Sequence, residues 1–192
     1  RNLMIYDLIK KNRSYRRFDQ RYALEESTLL ELVELARLCP SAGNLQPLKY
    51  YLSWQPENNA AIFANLAWAR YLTDWDGPAE GERPGGYIII LGDTRISKNF
   101  GCDHGITAQS ILLGAVEKGL GGCMIGSINQ QGLREKLKIG QHLEVLLVVA
   151  LGKPIETVVL DEVGPDGNIR YWREPNQVHH VPKRLLSEII VS

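Results

Sequence analysis

The chain of 192 residues, 44% hydrophobic and 23% charged, has the length and composition of one globular domain, residues 1–192, with a substantial core. Lysine plus arginine and aspartate plus glutamate number 22 each, so the formal net charge is zero and no overall field draws the chain to nucleic acid or an anionic membrane. No apolar run approaches the roughly 20 residues of a bilayer span, and three cysteines without CxxC spacing, Cys39, Cys102 and Cys123, read as reduced thiols of a cytoplasmic protein.

In chain order, Ile5, Leu8 and Ile9 make a short apolar helical stripe that runs into Arg13-Ser14-Tyr15-Arg16-Arg17-Phe18. Three guanidinium forks and a hydroxyl in six residues suit a phosphate, against the plainer reading of a solvated basic face. Leu24 to Leu38 predicts a helix with Leu29, Leu32, Val33, Ala36 and Leu38 on one stripe and Glu25 and Glu26 at the end the dipole favours. The loop Pro40-Ser41-Ala42-Gly43-Asn44-Leu45-Gln46-Pro47 follows. Proline stiffens it, glycine permits close approach, and Ser41, Asn44 and Gln46 offer donors and acceptors suited to a flat heterocycle. The same residue types also build ordinary turns.

Lys49 to Trp54 and Tyr87 to Gly92 read as strands, and Leu143 to Leu151 as a central buried strand ended by Gly152-Lys153-Pro154. The stretch from Trp54 to Gly85, with Trp68, Tyr71, Trp75 and a polar run, matches no motif. Asp103 to Lys118 is a nearly uncharged helix carrying Gly105, Ala108, Gly114 and Ala115, either a core helix or the seam of a symmetric dimer. Gly119 to Gly122 is a helix C-cap and tight turn, after which Met124 to Ser127 brings backbone N–H groups into position for a ligand edge. Asp161 to Asn176 reads as a turn followed by an aromatic arm. Helices near both ends, strands between and a buried middle helix give an α+β class.

The four histidines, His104, His142, His179 and His180, form no constellation for acid or base work. His179 and His180 face opposite ways and read as part of a surface arm. Cys102-Asp103-His104 fits no zinc spacing, so no metal is expected. Neither a Gly-x-Ser-x-Gly elbow nor a Walker phosphate loop is present.

Four segments together resemble the nitroreductase family of FMN-dependent oxidoreductases, in the family's order. They are Ser14-x-Arg16-x-Phe18, Pro40-Ser41-x-x-Asn44-x-Gln46-Pro47, Gly119-Leu120-Gly121-Gly122-Cys123-x-Ile125-Gly126, and Lys183-Arg184-x-Leu186. Two positions depart from the pattern: Asn12 stands where the N-terminal signature begins with arginine, and Leu48 where tryptophan follows Gln-Pro.

The resemblance implies a central mixed or antiparallel sheet flanked by helices, an intertwined homodimer, and a basic C-terminal arm from about 178 to 192. It implies bound FMN, with NAD(P)H as electron donor and a nitroaromatic or quinone-like acceptor taking the electrons by a ping-pong mechanism. By the same resemblance the cofactor-binding residues are Arg13, Ser14, Tyr15, Arg16, Pro40, Ser41, Asn44, Gln46, Ile125, Gly126, Lys183 and Arg184. Arg13, Ser14, Lys183 and Arg184 fall at the phosphate, Ser41, Asn44 and Gln46 at the ring and ribityl chain, and the Ile125–Gly126 backbone at flavin N5. No side chain is expected to be catalytic, because the flavin supplies the chemistry and Arg16 tunes it. Alternatives are an iodotyrosine deiodinase-like reductive dehalogenase, kept open by Ser127, and a non-catalytic FMN-binding or storage module.

Overall fold

A computed structural model describes residues 4–191. The chain runs through α1 (Ile5–Lys11), α2 (Glu26–Arg37), β1 (Leu48–Ser53), α3 (Pro56–Phe63), β2 (Gly86–Asp93), α4 (Asp103–Glu117), β3 (Gly121–Ile125), α5 (Gln130–Leu137) and β4 (Leu143–Gly152). It then adds β5 (Val158–Glu162), β6 (Trp172–Arg173), β7 (His179–Lys183) and α6 (Leu186–Ile189). The predicted helices and strands fall within a residue or two of these bounds.

The main sheet has the order β1-β2-β4-β3 and is antiparallel throughout. Every residue of β2 is buried, as its unbroken apolar run requires of a strand covered on both faces. Alternation along β2 divides the core into two layers. Ile88 and Ile90 face α2 and α4, packing with Leu29, Leu32, Ile111, Leu112 and Val149. Tyr87, Ile89 and Leu91 face the other side, with Ile62, Trp68 and Leu133. Helix α2 approaches α4 closely because residue 114 is glycine; a Cβ there would lie 2.3 Å from Leu35 Cδ1.

The stretch from Trp54 to Gly85, opaque in the sequence, supplies α3 and then crosses to the far end of β3. Leu66 pairs antiparallel with Ile128, and the Ala67 N–H donates to the Ser127 carbonyl at 3.0 Å. Trp68 and Trp75 continue into the second core layer.

The segment expected to be a turn and a surface arm instead joins a second sheet, of order β5-β7-β6, with β5 and β7 parallel and β6 antiparallel to β7. One imidazole ties its three parts. His180 Nδ1 lies 2.7 Å from Asp161 Oδ2 and Nε2 lies 2.7 Å from Glu174 Oε1, while the ring stacks on Trp172 at 4.0 Å and 6°. Desolvation opposes the charged ring, but the Asp161 and Glu174 carboxylates outweigh it and hold the His180 pKa above its ordinary value. A raised folded-state pKa means that the protonated ring contributes stability below the unfolded value, lost as pH rises through the folded one. Trp172 fluorescence is therefore expected to increase as pH is raised above the ordinary imidazole value of 6.5, when the stacked cation loses its charge. A His180→Gln variant should show no such transition, and an identical transition in both would remove His180 as its source.

Candidate functional site

The N-terminal basic segment lies along the outer edge of β3. Ser14 pairs parallel with Gly122, and the Tyr15 N–H donates to the Gly122 carbonyl at 2.9 Å, so the edge is covered there. On its other side Phe18, fully buried, bridges to Pro154 beyond the end of β4, and the Ile155 N–H donates to the Arg17 carbonyl.

Glu156 gathers this region. Its Oε1 accepts the backbone N–H groups of Arg16 at 2.5 Å and Arg17 at 3.2 Å, and its Oε2 accepts Arg173 Nη2 at 3.0 Å. The Glu156 side chain is 1% exposed. Arg17 instead forks onto Glu82, with Nε–Oε2 at 2.8 Å and Nη2–Oε1 at 2.5 Å, which holds the Glu82 carboxyl below its usual range. The Arg16 side chain turns elsewhere. Its Nη1 lies 3.3 Å from the Ser14 carbonyl and 3.5 Å from His179 Nε2, and its guanidinium carbon sits 5.1 Å from the centre of the Tyr171 ring. No carboxylate pairs with that side chain among the described residues.

His179, expected on the surface, is 1% exposed. Burial, reinforced by Arg16, Arg173 and His180, pushes its pKa down to about 4, so the ring is neutral at ordinary pH. Arg13 Nη2 donates to the Ile9 carbonyl at 2.8 Å, while its Nε is buried without a partner. The Tyr15 hydroxyl donates to the Lys11 carbonyl, and burial raises its pKa despite the nearby Arg13.

The Pro40–Pro47 loop is anchored by Asp103. Asp103, at the first position of α4, is 3% exposed; its Oδ2 accepts the Ser41 hydroxyl at 2.6 Å and its Oδ1 accepts the Ala42 N–H at 3.2 Å. Ser41 Oγ in turn accepts the Gln46 N–H at 3.0 Å, and Gln46 Nε2 donates to the Asn44 carbonyl. Gly43, Asn44 and Gln46 have φ of 58°, 54° and 53°, so two side-chain-bearing residues occupy the left-handed region. Such backbone persists only where the surroundings fix it. Beneath the loop is a cavity of about 400 Å³, lined by Val33, Arg37, Cys39, Ser41, Tyr50 and Thr107 among others.

Ile125, the last residue of β3, is buried, and Gly126 beyond it is exposed; a Cβ on Gly126 would meet nothing within 4 Å. Pro40, Asn44 and Gln46 are exposed, as are Lys183 and Arg184, whose side chains make no hydrogen bond or ion pair among the described residues. Arg13, Ser14, Tyr15 and Arg16 thus form one group beside Gly122 on the β3 edge. No hydrogen bond or ion pair joins that group to the Pro40–Pro47 loop or to Lys183 and Arg184 among the described residues. Glu156, Asp103, His179 and Tyr171 belong to the site region although no motif contains them.

Removing the Asp103 carboxylate leaves the Ser41 hydroxyl and Ala42 N–H without their charged acceptor. Asp103→Ala is expected to destabilise the protein by about 2 kcal/mol, read as a fall in the urea midpoint at constant slope; a midpoint unchanged from wild type would show that the loop holds itself.

The family model described as the nitroreductase family matches residues 9–81 and 86–153. YodC of Bacillus subtilis, named as a candidate NAD(P)H nitroreductase, is 22% identical, with 86% of this chain and 97% of YodC covered. Among solved structures, an FMN-dependent nitroreductase from Clostridium difficile R20291 superposes with a TM-score of 0.64 at 23% identity, over 79% of this chain and 88% of that one. A nitroreductase family protein from Streptococcus pneumoniae TIGR4 gives 0.69 at 16% identity, over 98% and 100%.

Proposed function

Because the chain belongs to the nitroreductase family, we propose that it is an FMN-dependent oxidoreductase in which NAD(P)H reduces the flavin and a flat, electron-poor acceptor, nitroaromatic or quinone-like, is reduced in turn by a ping-pong mechanism. The observation that carries this reading is the Arg16 guanidinium, held by the Ser14 carbonyl and His179 Nε2 with no carboxylate partner among the described residues. The word FMN in the C. difficile relative's name and NAD(P)H in that of YodC agree with it.

The residues fit the cofactor. The partnerless buried Arg13 Nε and the Ser14 hydroxyl suit a phosphate monoester, and Gly126 leaves room for a ring edge to meet backbone. When bound, FMN supplies the redox chemistry. Arg16 would hold positive charge beside the N1–C2 carbonyl region, which gains electron density on reduction, the effect of a fixed cation in a partly desolvated site. The Ile125–Gly126 backbone would meet the ring edge at N5. The Pro40–Pro47 loop, with Ser41, Asn44 and Gln46, would offer amide and hydroxyl groups to the ring and ribityl chain, and Lys183 and Arg184 would add cations at the phosphate.

In this reading the site is finished by a second copy of the chain. Met4, Ile5, Tyr6 and Ile9 on or next to α1, Leu30, Leu35 and Leu38 on or next to α2, and Leu186, Ile189 and Ile190 on the arm are all exposed apolar residues. A monomer rarely leaves that much apolar surface in water, and a two-fold dimer buries it symmetrically. The dimer also gives the Pro40–Pro47 loop and the C-terminal arm a flavin to meet across the boundary.

Protein purified from cells is expected to be yellow, to release FMN on denaturation, and to oxidise NADPH or NADH with a quinone acceptor. Release of FAD, or no flavin together with no micromolar FMN binding by apoprotein, overturns the cofactor assignment. Bound FMN without acceptor-dependent turnover identifies a flavin-holding module instead. Truncation after Pro182 is expected to weaken the dimer in sedimentation and to lower FMN affinity in the same preparation; a dimer that retains its affinity shows that the arm is peripheral.

A further inference from the structure

Three guanidinium groups crowd the junction of the N-terminal segment with the second sheet, and they are partnered unequally. Arg17 takes the Glu82 carboxylate and Arg173 takes that of Glu156. Arg16 gives only its backbone N–H to Glu156, while its side chain rests on the Ser14 carbonyl, His179 Nε2 and the face of Tyr171. All three are uncharged. A carboxylate in their place would orient the guanidinium equally well but would cancel most of its field on a neighbouring anion.

His179 is suited to that role by its surroundings. It lies at the start of β7, with its backbone N–H on the Thr157 carbonyl at 2.9 Å, and its ring packs 5.3 Å from Tyr171. The titratable or charged groups around it are Arg16, Arg173 and His180, with Tyr171 beside them, and each of the three cations disfavours a second positive charge on the ring. Arg16 is a donor only, so Nε2 must be the unprotonated nitrogen and the proton sits on Nδ1, which is buried without a partner. The ring keeps that unsatisfied nitrogen and still faces Arg16.

We propose that His179 is the positioning residue for Arg16, a buried neutral acceptor that aims the guanidinium while leaving its charge available to an anionic ligand group, here the electron-rich side of reduced FMN. This rests on the FMN reading above and extends it to a residue outside the matched family segments.

His179→Gln and His179→Glu test it, because they are equal in length and differ by one charge, with thermal melting as the control for folding. The Gln variant should hold FMN with a reduction potential and a Kd within twofold equivalence of wild type. The Glu variant, pairing with Arg16, should favour the reduced flavin at least tenfold less, a potential lower by about 30 mV for a two-electron couple, moving toward that of Arg16→Ala. Equal potentials in the Gln and Glu variants overturn the proposal. If the Glu variant does not fold, His179→Ala must lower the potential where Gln does not, and equal values for Ala and Gln overturn it likewise. A wild type that binds no FMN overturns the cofactor reading and this inference together; one that binds FMN while Gln and Glu behave alike overturns this inference alone.

Discussion

The arrangement hangs on the Glu156 carboxylate. A buried carboxylate is tolerated only when its lone pairs are used and its charge is met, and here two backbone N–H groups and one guanidinium do both. The bonds reach 140 residues back to Arg16 and 17 forward to Arg173. They therefore lock the N-terminal segment against the exit of β4 and fasten the second sheet to the first. The direction of the Arg16 side chain follows from this: with its own N–H fixed and the carboxylate already occupied by Arg173, the guanidinium has only neutral acceptors within reach.

Adjacent histidines on β7 show how far environment rather than residue type sets charge. His179 and His180 point to opposite faces of a strand. One is buried among arginines and is neutral; the other lies between two carboxylates and favours its proton. The neutral ring lies against Arg16, and the ring of His180 holds Asp161, Glu174 and Trp172 together. A one-residue slip of β7 would put either Val178 against Arg16 or Val181 between Asp161 and Glu174, removing one of the two polar contacts, so the register of this short strand is set by these side chains as well as by its ladder bonds.

Much of the fold was legible in the residues. Leu29, Leu32 and Ala36 on α2 and the unbroken apolar runs of β2 and β4 carry periodicity that a buried position enforces. The glycine turn at 119–122 was legible, but the antiparallel pairing of β3 with β4 was not. The second sheet was not legible: β6 is two residues long, β5 alternates weakly, and their pairing depends on His180 contacts spread over 20 residues. Within the candidate site, the motif residues Arg13 to Arg16 and Ser41 to Gln46 stand out because their types are dense and local. Glu156 and Asp103 do not, since a lone carboxylate after Pro154 or at a helix start carries no pattern until its distant partners are known. His179 was misread for the same reason: its burial is decided by Arg16, by Tyr171 and by Arg173 across the ladder on a strand two residues long, none of which its own sequence neighbours announce.

The left-handed backbone at Asn44 and Gln46 has a further consequence for how a ligand meets that loop. Its conformation is fixed beforehand by Asp103 and Ser41, so little chain entropy remains to be lost on contact. Association should then be limited by diffusion and by desolvation of the loop's amides, not by a search among loop shapes. Recognition of this kind is rigid: it discriminates by fit against a standing surface and gives a poorly matched ring no means of reshaping it.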